Sequence, residues 1–507
     1  VSRPRTNASY SLPAPVGGWN ARDPLDVMPE TDAIRLVNVF PDVTGCRIRN
    51  GFRVHSTGMG TGAVQTLAEF ADASGTRRLV AAANGNLYNA TTFNVAATSI
   101  GSGYSNNKWQ TINFRATGSN YLVLVNGADT PKKWDGTTLS DAAYTGIGTP
   151  ATLIHVNSFK QRLYLVPINS TSVWYGSTNA VQGALTEFDI GSLLKRGGHL
   201  LLTASWSADG GSGLEDYFIM LSNMGECLIY SGSNPSDFSL VTRLFLPVPL
   251  GRRAVFNIDN DVVILTQEGA ISLSAVMATG DDTRVYNKVT DKIFDAYNLA
   301  TKSYTSNFGW EGFIYPKDHS VILNIPVIES TTSEQYVMNL LNGSWCKFSG
   351  MNACSWGLLN EKPYFGGTDG KIYEYDTSQS DNGNFINIDI KTAFTYFGDR
   401  ERIKKISRIT PIMLSDPGVT FYLDVDTDFS EKDITNVITT SGASGAEWDT
   451  STWDLTDWAG SGTSHITDGY SVADIGKNVA IRCKGSLMNV TFSINAFHTI
   501  YETGGLL

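Results

Sequence analysis

The sequence predicts an all-β protein: a β-propeller of six or seven blades, with a C-terminal β-sandwich or jelly-roll-like domain and an extended N-terminal arm. Three observations predict it. Short apolar and aromatic runs alternate with turn residues, and no long stretch has a helical period. A degenerate hairpin unit recurs at steps of roughly 40 to 50 residues, the range of propeller blades. Finally, 49 Gly accompany 21 Tyr, 23 Phe and 11 Trp, against only 17% charged residues. That balance describes a rigid, turn-rich β protein, not a disordered or coiled-coil one.

Residues 1–60 are expected as the arm. Pro13, Pro15, Gly17, Gly18, Pro24 and Pro29 interrupt any regular element there. Thr31 is placed to cap a helical turn that begins the run Asp32 to Phe40. Gly45 to Phe52 reads as a strand and a turn.

Residues 61–376 are expected as the propeller. The clearest unit is Tyr364 to Tyr375, in which two short strands flank Asp369-Gly370. Gly tolerates positive φ, so this dipeptide suits a tight antiparallel turn. Apolar side chains on both strand faces fit a sheet stacked between two others. Weaker copies centre on Gly85, Gly127, Asn169, Gly225, Gly269 and Asp318. Trp345 to Trp356, with Asn342-Gly343, reads as a second hairpin within one blade, and Lys292 to Tyr297 as a short helix.

Residues 377–507 are expected as the C-terminal domain. Thr377 to Asn384 is a polar linker. Strands are expected at Phe385–Ile390, Thr392–Phe397, Lys404–Leu414, Val419–Val425, Val479–Arg482 and Val490–Ile494. Lys404 to Ile409 alternates cationic and apolar residues, as a strand with one solvated face would. Trp448, Trp453 and Trp458 sit among Gly, Ser and Asp, as in a loop packed by its own indoles.

The net charge of -11 argues against a general nucleic-acid footprint, although it suits a channel through which DNA passes without sticking. Five cysteines without a CxxC spacing read as reduced, buried thiols. No leader-like opening and no run of about 18 apolar residues is present, so a soluble protein made in the cytoplasm, without membrane insertion, is expected.

Several stretches together resemble a known family. Gly18 to Leu25, Met28-Pro29, Asp32-Ala33, Leu36 to Asn38 and Arg49 to Phe52 look like the opening of tail proteins from short-tailed bacteriophages. Pro131 to Gly136, His155 to Asn157, Arg162 to Tyr164, Phe397 to Arg400, Trp448 to Trp458 and Tyr501 to Gly505 continue the likeness over most of the chain. The chain thus resembles the tail nozzle, or distal tail tube, of podovirus-like virions. The resemblance implies a structural virion protein: a homohexameric ring that is the conduit for genome ejection. It also implies partners: the tail adaptor protein above, tail fibre or spike proteins docked on it, and genomic DNA passing without specific binding. None of these motifs has a catalytic meaning.

The residues themselves suggest no catalytic, cofactor or metal site. Asp424, Asp426 and Asp428 alternate at a strand end and offer oxygen ligands, yet EF-hand spacing is missing. The histidines His55, His155, His199, His319, His465 and His498 form no zinc-binding pair, and His155 reads as a hydrogen-bonded core residue. Asp209, Glu215, Asp216, Asp259 and Asp261 are loop carboxylates, the raw material of a propeller glycosidase or lyase. The sialidase Asp-box is absent, and Gly210 to Gly213 lacks the Lys of a phosphate loop. The tryptophan trio has a rival reading as a platform that stacks on sugars. The expectation is therefore a non-enzymatic tail protein without cofactors. A receptor- or glycan-binding tail module and a propeller hydrolase remain the alternatives.

Overall fold

Buried positions alternate between two faces along most strands of the computed structural model, which describes residues 7–209, 214–279, 288–440 and 464–506. The chain is all-β, with 55% strand and 7% helix. Among the described residues, seven sheets of three or more strands follow one another from residue 51 on, besides a two-stranded pairing of Tyr144–Thr145 with Gly183–Ala184. Sheet 1 runs Thr66–Ala71, Arg77–Ala83, Asn86–Asn89, Thr98–Ser102. Sheet 2 is Gln110–Ala116, Ser119–Val125, Lys132–Trp134, Leu139–Asp141; sheet 3 is Leu153–Phe159, Arg162–Pro167, Ser172–Tyr175, Thr186–Asp189. Sheet 4 is Leu200–Asp209, Leu214–Ser222, Glu226–Ser231, Ser239–Phe245, and sheet 5 is Val255–Ile258, Asp261–Thr266, Gly269–Ser272. Sheet 6 begins with Glu311–Tyr315, Ser320–Ile328, Thr332–Asn339 and Trp345–Phe348. Sheet 7 takes Ser355–Leu359, Lys362–Gly366 and Ile372–Ser378, then Gly51–Thr57 from the other end of the chain.

Antiparallel pairing inside each sheet follows from the turns. Tyr364 pairs with Glu374 and Phe365 with Tyr373 across Asp369-Gly370. Gly370 has φ +71°, and a Cβ there would meet the Gly60 carbonyl oxygen at 2.0 Å, so glycine is required on both counts.

The second strand of each sheet feeds two apolar layers. Leu163 and Leu165 pack with sheet 2, whereas Tyr164 and Val166 pack with sheet 4. Likewise Phe218 and Met220 face sheet 3 while Ile219 and Leu221 face sheet 5. Val263 and Leu265 meet sheet 6, and Ile322 on sheet 6 meets Phe365 and Trp356 of sheet 7. Tyr364 and Ile372 of sheet 7 pack with Leu79 and Ala81 of sheet 1, whose Val80 and Ala82 pack with Leu122 and Leu124 of sheet 2. Each such Leu, Ile, Val, Met or Phe side chain contributes about 1.5–3 kcal/mol of burial.

Residues 386–440 and 464–506 build two facing sheets together with strands from the start of the chain. Sheet 6 continues through Gly18–Trp19, Asp32–Val37, Ile386–Thr392, Val479–Leu487 and Thr420–Thr427 to Val437–Thr439, ten strands in all. Opposite it, Phe492–Leu506 and Arg402–Ser415 form the centre of a seven-stranded sheet, joined by Asn7–Pro13, Val39–Pro41, Cys46–Ile48, Ser464–Ile466 and Tyr470–Gly476. Ile388, Ile390, Leu423 and Ile481 meet Ile406, Met413, Ile494 and Phe497 between them.

Several expectations need correction. The first sixty residues contribute strands to three sheets of this chain, because Pro and Gly space short strands there instead of preventing them. Asp32–Val37 is a strand, not a capped helical turn: Ala33 and Leu36 are buried beside Thr392 and Ile390. Trp345–Phe348 and Ser355–Leu359 lie in different sheets and do not form one hairpin; Asn342-Gly343 instead turns Thr332–Asn339 into Trp345–Phe348. Ile386–Thr392 is one strand, after which only Thr395 bridges to Val479. Lys404 is not solvated: its ammonium donates to the carbonyls of Asp399, Arg402 and Lys477, inside the strand expected to expose it. The short helix at Lys292 is longer than expected, a 3-10 turn at Asp291–Ile293 running into Phe294–Tyr304.

Cys46, Cys227, Cys346 and Cys483 are buried and Cys354 is partly buried, all as free thiols. Burial raises every one of them, Cys227 and Cys354 up to about 12. A thiol-reactive dye is therefore expected to label the native protein only slowly, and all five cysteines once denaturant is added. Rapid labelling of even one native thiol would contradict this packing.

Candidate functional site

The first strands of sheets 1 to 6 line a common cavity of about 470 Å³. Thr66, Gln110, His155, Thr203, Asn257 and Glu311 each bring one sheet to its wall. These strands place a side chain there every second residue, so the wall is built from regular sheet, not from loops.

Arg252 and Arg253 enter the cavity from the loop before Val255–Ile258. Arg253 donates to the carbonyl of Gln65 at 2.8 Å, to Thr66 Oγ1 at 2.9 Å and to the carbonyl of Trp109 at 2.8 Å. Arg252 donates to the carbonyl of Lys108 and, at 3.5 Å, to those of Asn126 and Ile154. The pair thus ties sheet 5 to sheets 1, 2 and 3 at the end where their first strands begin. Phe308 lies below both guanidiniums, at 5.6 and 4.9 Å from its ring centre, with Lys108 Nζ at 4.7 Å. Lys108 is itself paired with Glu329 at 2.6 Å.

Burial and the neighbouring Arg253 push Arg252 down to about 10. Burial also lowers Arg253, with Glu311 opposing. Glu311 is pushed up by burial, against the pull of Arg253 and the Trp356 N–H. His155 is driven down to about 3, first by burial and then by Arg252, and is neutral at physiological pH. Its Nδ1 accepts the Thr203 backbone N–H at 3.4 Å, so its proton sits on Nε2. The hydroxyl nearest a nucleophile's role, Ser205, donates to the Ser158 carbonyl at 2.8 Å. The cavity wall therefore offers cations and donors around a single carboxyl.

The residues singled out in the sequence do not converge. Asp216 holds Lys160 and Ser207, and Lys160 with Ser207 lowers its carboxyl. Glu215 accepts the Tyr217 hydroxyl, Asp261 caps the helix at Leu273–Thr279 through Ser272 and Ser274, and Asp259 occupies a turn at φ 50°. Asp426 is buried against Lys391 at 2.6 Å with Arg482 at 4.0 Å, and Asp428 accepts the Lys477 N–H. Cations already occupy the ground an ion would need beside that aspartate run. Among the described residues no group of three His, Cys, Asp or Glu is placed to hold a metal. His55 is buried with Nε2 on the Ala90 carbonyl, His319 is a left-handed turn residue, and His155 is a cavity wall residue, not a core one. The side chains of Asp209 and His465, all of Gly210–Gly213, and Trp448, Trp453 and Trp458 lie outside the described residues.

The sequence reading passed over Arg252 and Arg253. Their signal was local: two adjacent arginines between apolar Leu246–Leu250 and Ala254–Phe256, in an acidic chain. A second missed group is Arg49, whose five N–H donors are all used, two of them on Asp381. Compared with models of known protein families and with curated proteins, the sequence matches none.

Proposed function

We propose that the chain is the repeating subunit of a ring-shaped nozzle, or distal tube, in a short bacteriophage tail. In this reading the seven sheets are the blades of one propeller, and Gly51–Thr57 closes the last blade against Ile372–Ser378. Support comes from the order of the apolar layers: each sheet shares one with the next, and sheet 7 shares one with sheet 1. The first strands also touch in that order, Ser355–Leu359 against Thr66–Ala71 included, except that Leu200–Asp209 of sheet 4 meets the second strand of sheet 5, Asp261–Thr266.

The observation that carries the reading is the ten-stranded sheet. It runs from sheet 6 through Gly18–Trp19 and Asp32–Val37 into the sandwich, so backbone pairing ties the two bodies together. A subunit that transmits load during genome ejection needs that stiffness. Arg252, Arg253 and Phe308 occupy the centre of the propeller, so DNA would travel through the lumen of the assembled ring and not through a single subunit. Residues of an acidic chain facing that lumen would let the polyanion slide.

The expected assembly is a homohexamer in the virion tail, beneath the adaptor and carrying fibres or spikes. Electron microscopy of assembled tails, with native mass spectrometry of the purified chain on its adaptor, tests it. A six-fold ring with an acidic lumen is the expected result. A strongly basic lumen would end the sliding mechanism, and a monomer or trimer that binds surface polysaccharide would replace the nozzle by a receptor-binding module.

A further inference from the structure

We propose that the cavity walled by sheets 1 to 6 is a binding site for a small oxyanion, a phosphate group either free or carried on a small polar ester, with Arg252 and Arg253 as its cations. The charge balance points there first. Both guanidiniums are fixed by backbone carbonyls and one threonine hydroxyl, not by carboxylates. Among the described residues Glu311 is the one carboxylate on the cavity wall, and His155 is neutral. The cavity is therefore net positive whether Glu311 carries its proton or not. An excess charge away from bulk water is costly unless a counter-charge joins it.

A second observation is independent of charge. Thr203 is 3% exposed and Gln110 9%, yet Thr203 Oγ1 and Gln110 Nε2 have no hydrogen-bond partner among the described residues. Both residues line this cavity. Buried polar atoms are rarely left unpaired, and two on one wall mark where a bound group would accept. With the His155 Nε2 proton they add neutral donors to the two cations. The volume of about 470 Å³ exceeds what one phosphate fills and lies in the range of small-molecule pockets, so room remains for an ester's polar body. The proposal does not depend on the tail reading, because a free subunit contains every group it needs.

Calorimetric titration of the full chain tests it, with inorganic phosphate in one arm, glucose 6-phosphate in the other, and sodium chloride of equal ionic strength as control. Saturable binding of phosphate is expected, tighter in the ester arm if the occupant is an ester and equal in both if it is the free ion. Gln110→Glu sets a carboxylate on the wall and is expected to weaken binding about tenfold or more. Thr203→Val removes a hydroxyl that has no protein partner. It is expected to weaken binding while leaving the melting temperature in phosphate-free buffer unchanged or higher. If Gln110→Glu fails to fold, Thr203→Val carries the same test. No saturable heat in either arm, or folded variants that bind as the parent does, would mean that the cavity holds only water and would overturn the proposal.

Discussion

Replacing Arg49 with methionine is expected to destabilise the fold by about 3–5 kcal/mol, because it strands a buried carboxylate. Arg49 Nη1 and Nη2 reach Asp381 Oδ1 and Oδ2 at 2.8 and 2.6 Å. Its Nε meets Asn38 Oδ1, and its remaining donors meet the carbonyls of Asn50 and Ser349. One side chain thus joins the N-terminal strands, the connection between sheets 6 and 7, and the segment after sheet 7. The guanidinium also lies 5.7 Å from the Phe348 ring centre. By contrast, the exposed pair Arg22–Asp291 should contribute only about 0–1 kcal/mol. Urea denaturation of Arg49→Met beside Arg22→Met separates the two cases. Adding Asp381→Leu to Arg49→Met should recover part of the loss, since no charge is then left buried. A cost below about 1 kcal/mol for Arg49→Met alone would show that water reaches Asp381.

What could be read from the sequence was set over short distances. Each of the seven anchors, from Gly85 to Gly370, falls in a different sheet, because a Gly, Asn or Asp turn is written in adjacent residues. Even the irregular steps have a cause. Asp318 sits at the first turn of sheet 6, between Glu311–Tyr315 and Ser320–Ile328, whereas Gly85 and Gly370 sit at second turns. The helical insertion between sheets 5 and 6 stretches the spacing further. What could not be read depends on partners far along the chain. Nothing in Asp32–Val37 announces that Leu36 will lie against Ile390. Lys404 looks like a solvated lysine until the three carbonyls that hold it are brought together by Asp399, Arg402 and Lys477. The cavity is the extreme case, since its six wall strands come from six sheets and meet only after every turn has formed.

The same long-range pairing makes the N-terminal segment decisive, and a chain that begins at residue 58 is expected not to fold cooperatively. Three losses would coincide. Phe492–Leu506 would lose its antiparallel neighbour Asn7–Pro13. Ile386–Thr392 and Trp345–Phe348 would lose the strands Asp32–Val37 and Gly18–Trp19 that lie between them, which would cut the ten-stranded sheet in two. Sheet 7 would lose Gly51–Thr57, and with it Phe52, whose ring packs edge-on against Phe365 and Tyr373 at 5.1 and 5.2 Å. Buried Asp381 would lose Arg49, and Glu374 would lose the half-exposed Arg53 and keep only Lys362. With about 3–5 kcal/mol for the broken Arg49–Asp381 pair added to the lost strands, these terms together rival the whole 5–15 kcal/mol by which a domain is usually stable. The open strand edges would also template aggregation. The expected result is insoluble protein, or soluble protein without a near-ultraviolet dichroism signal or a sharp melting transition. Co-expression of residues 1–60 as a separate chain should restore both, since strand addition needs no covalent link. A shortened chain that melts as sharply and as high as the full one would show that sheet 7 and the sandwich hold together without these strands. The segment would then be free to reach a neighbouring subunit, and the stiffness argued for the tail would have to come from contacts between subunits.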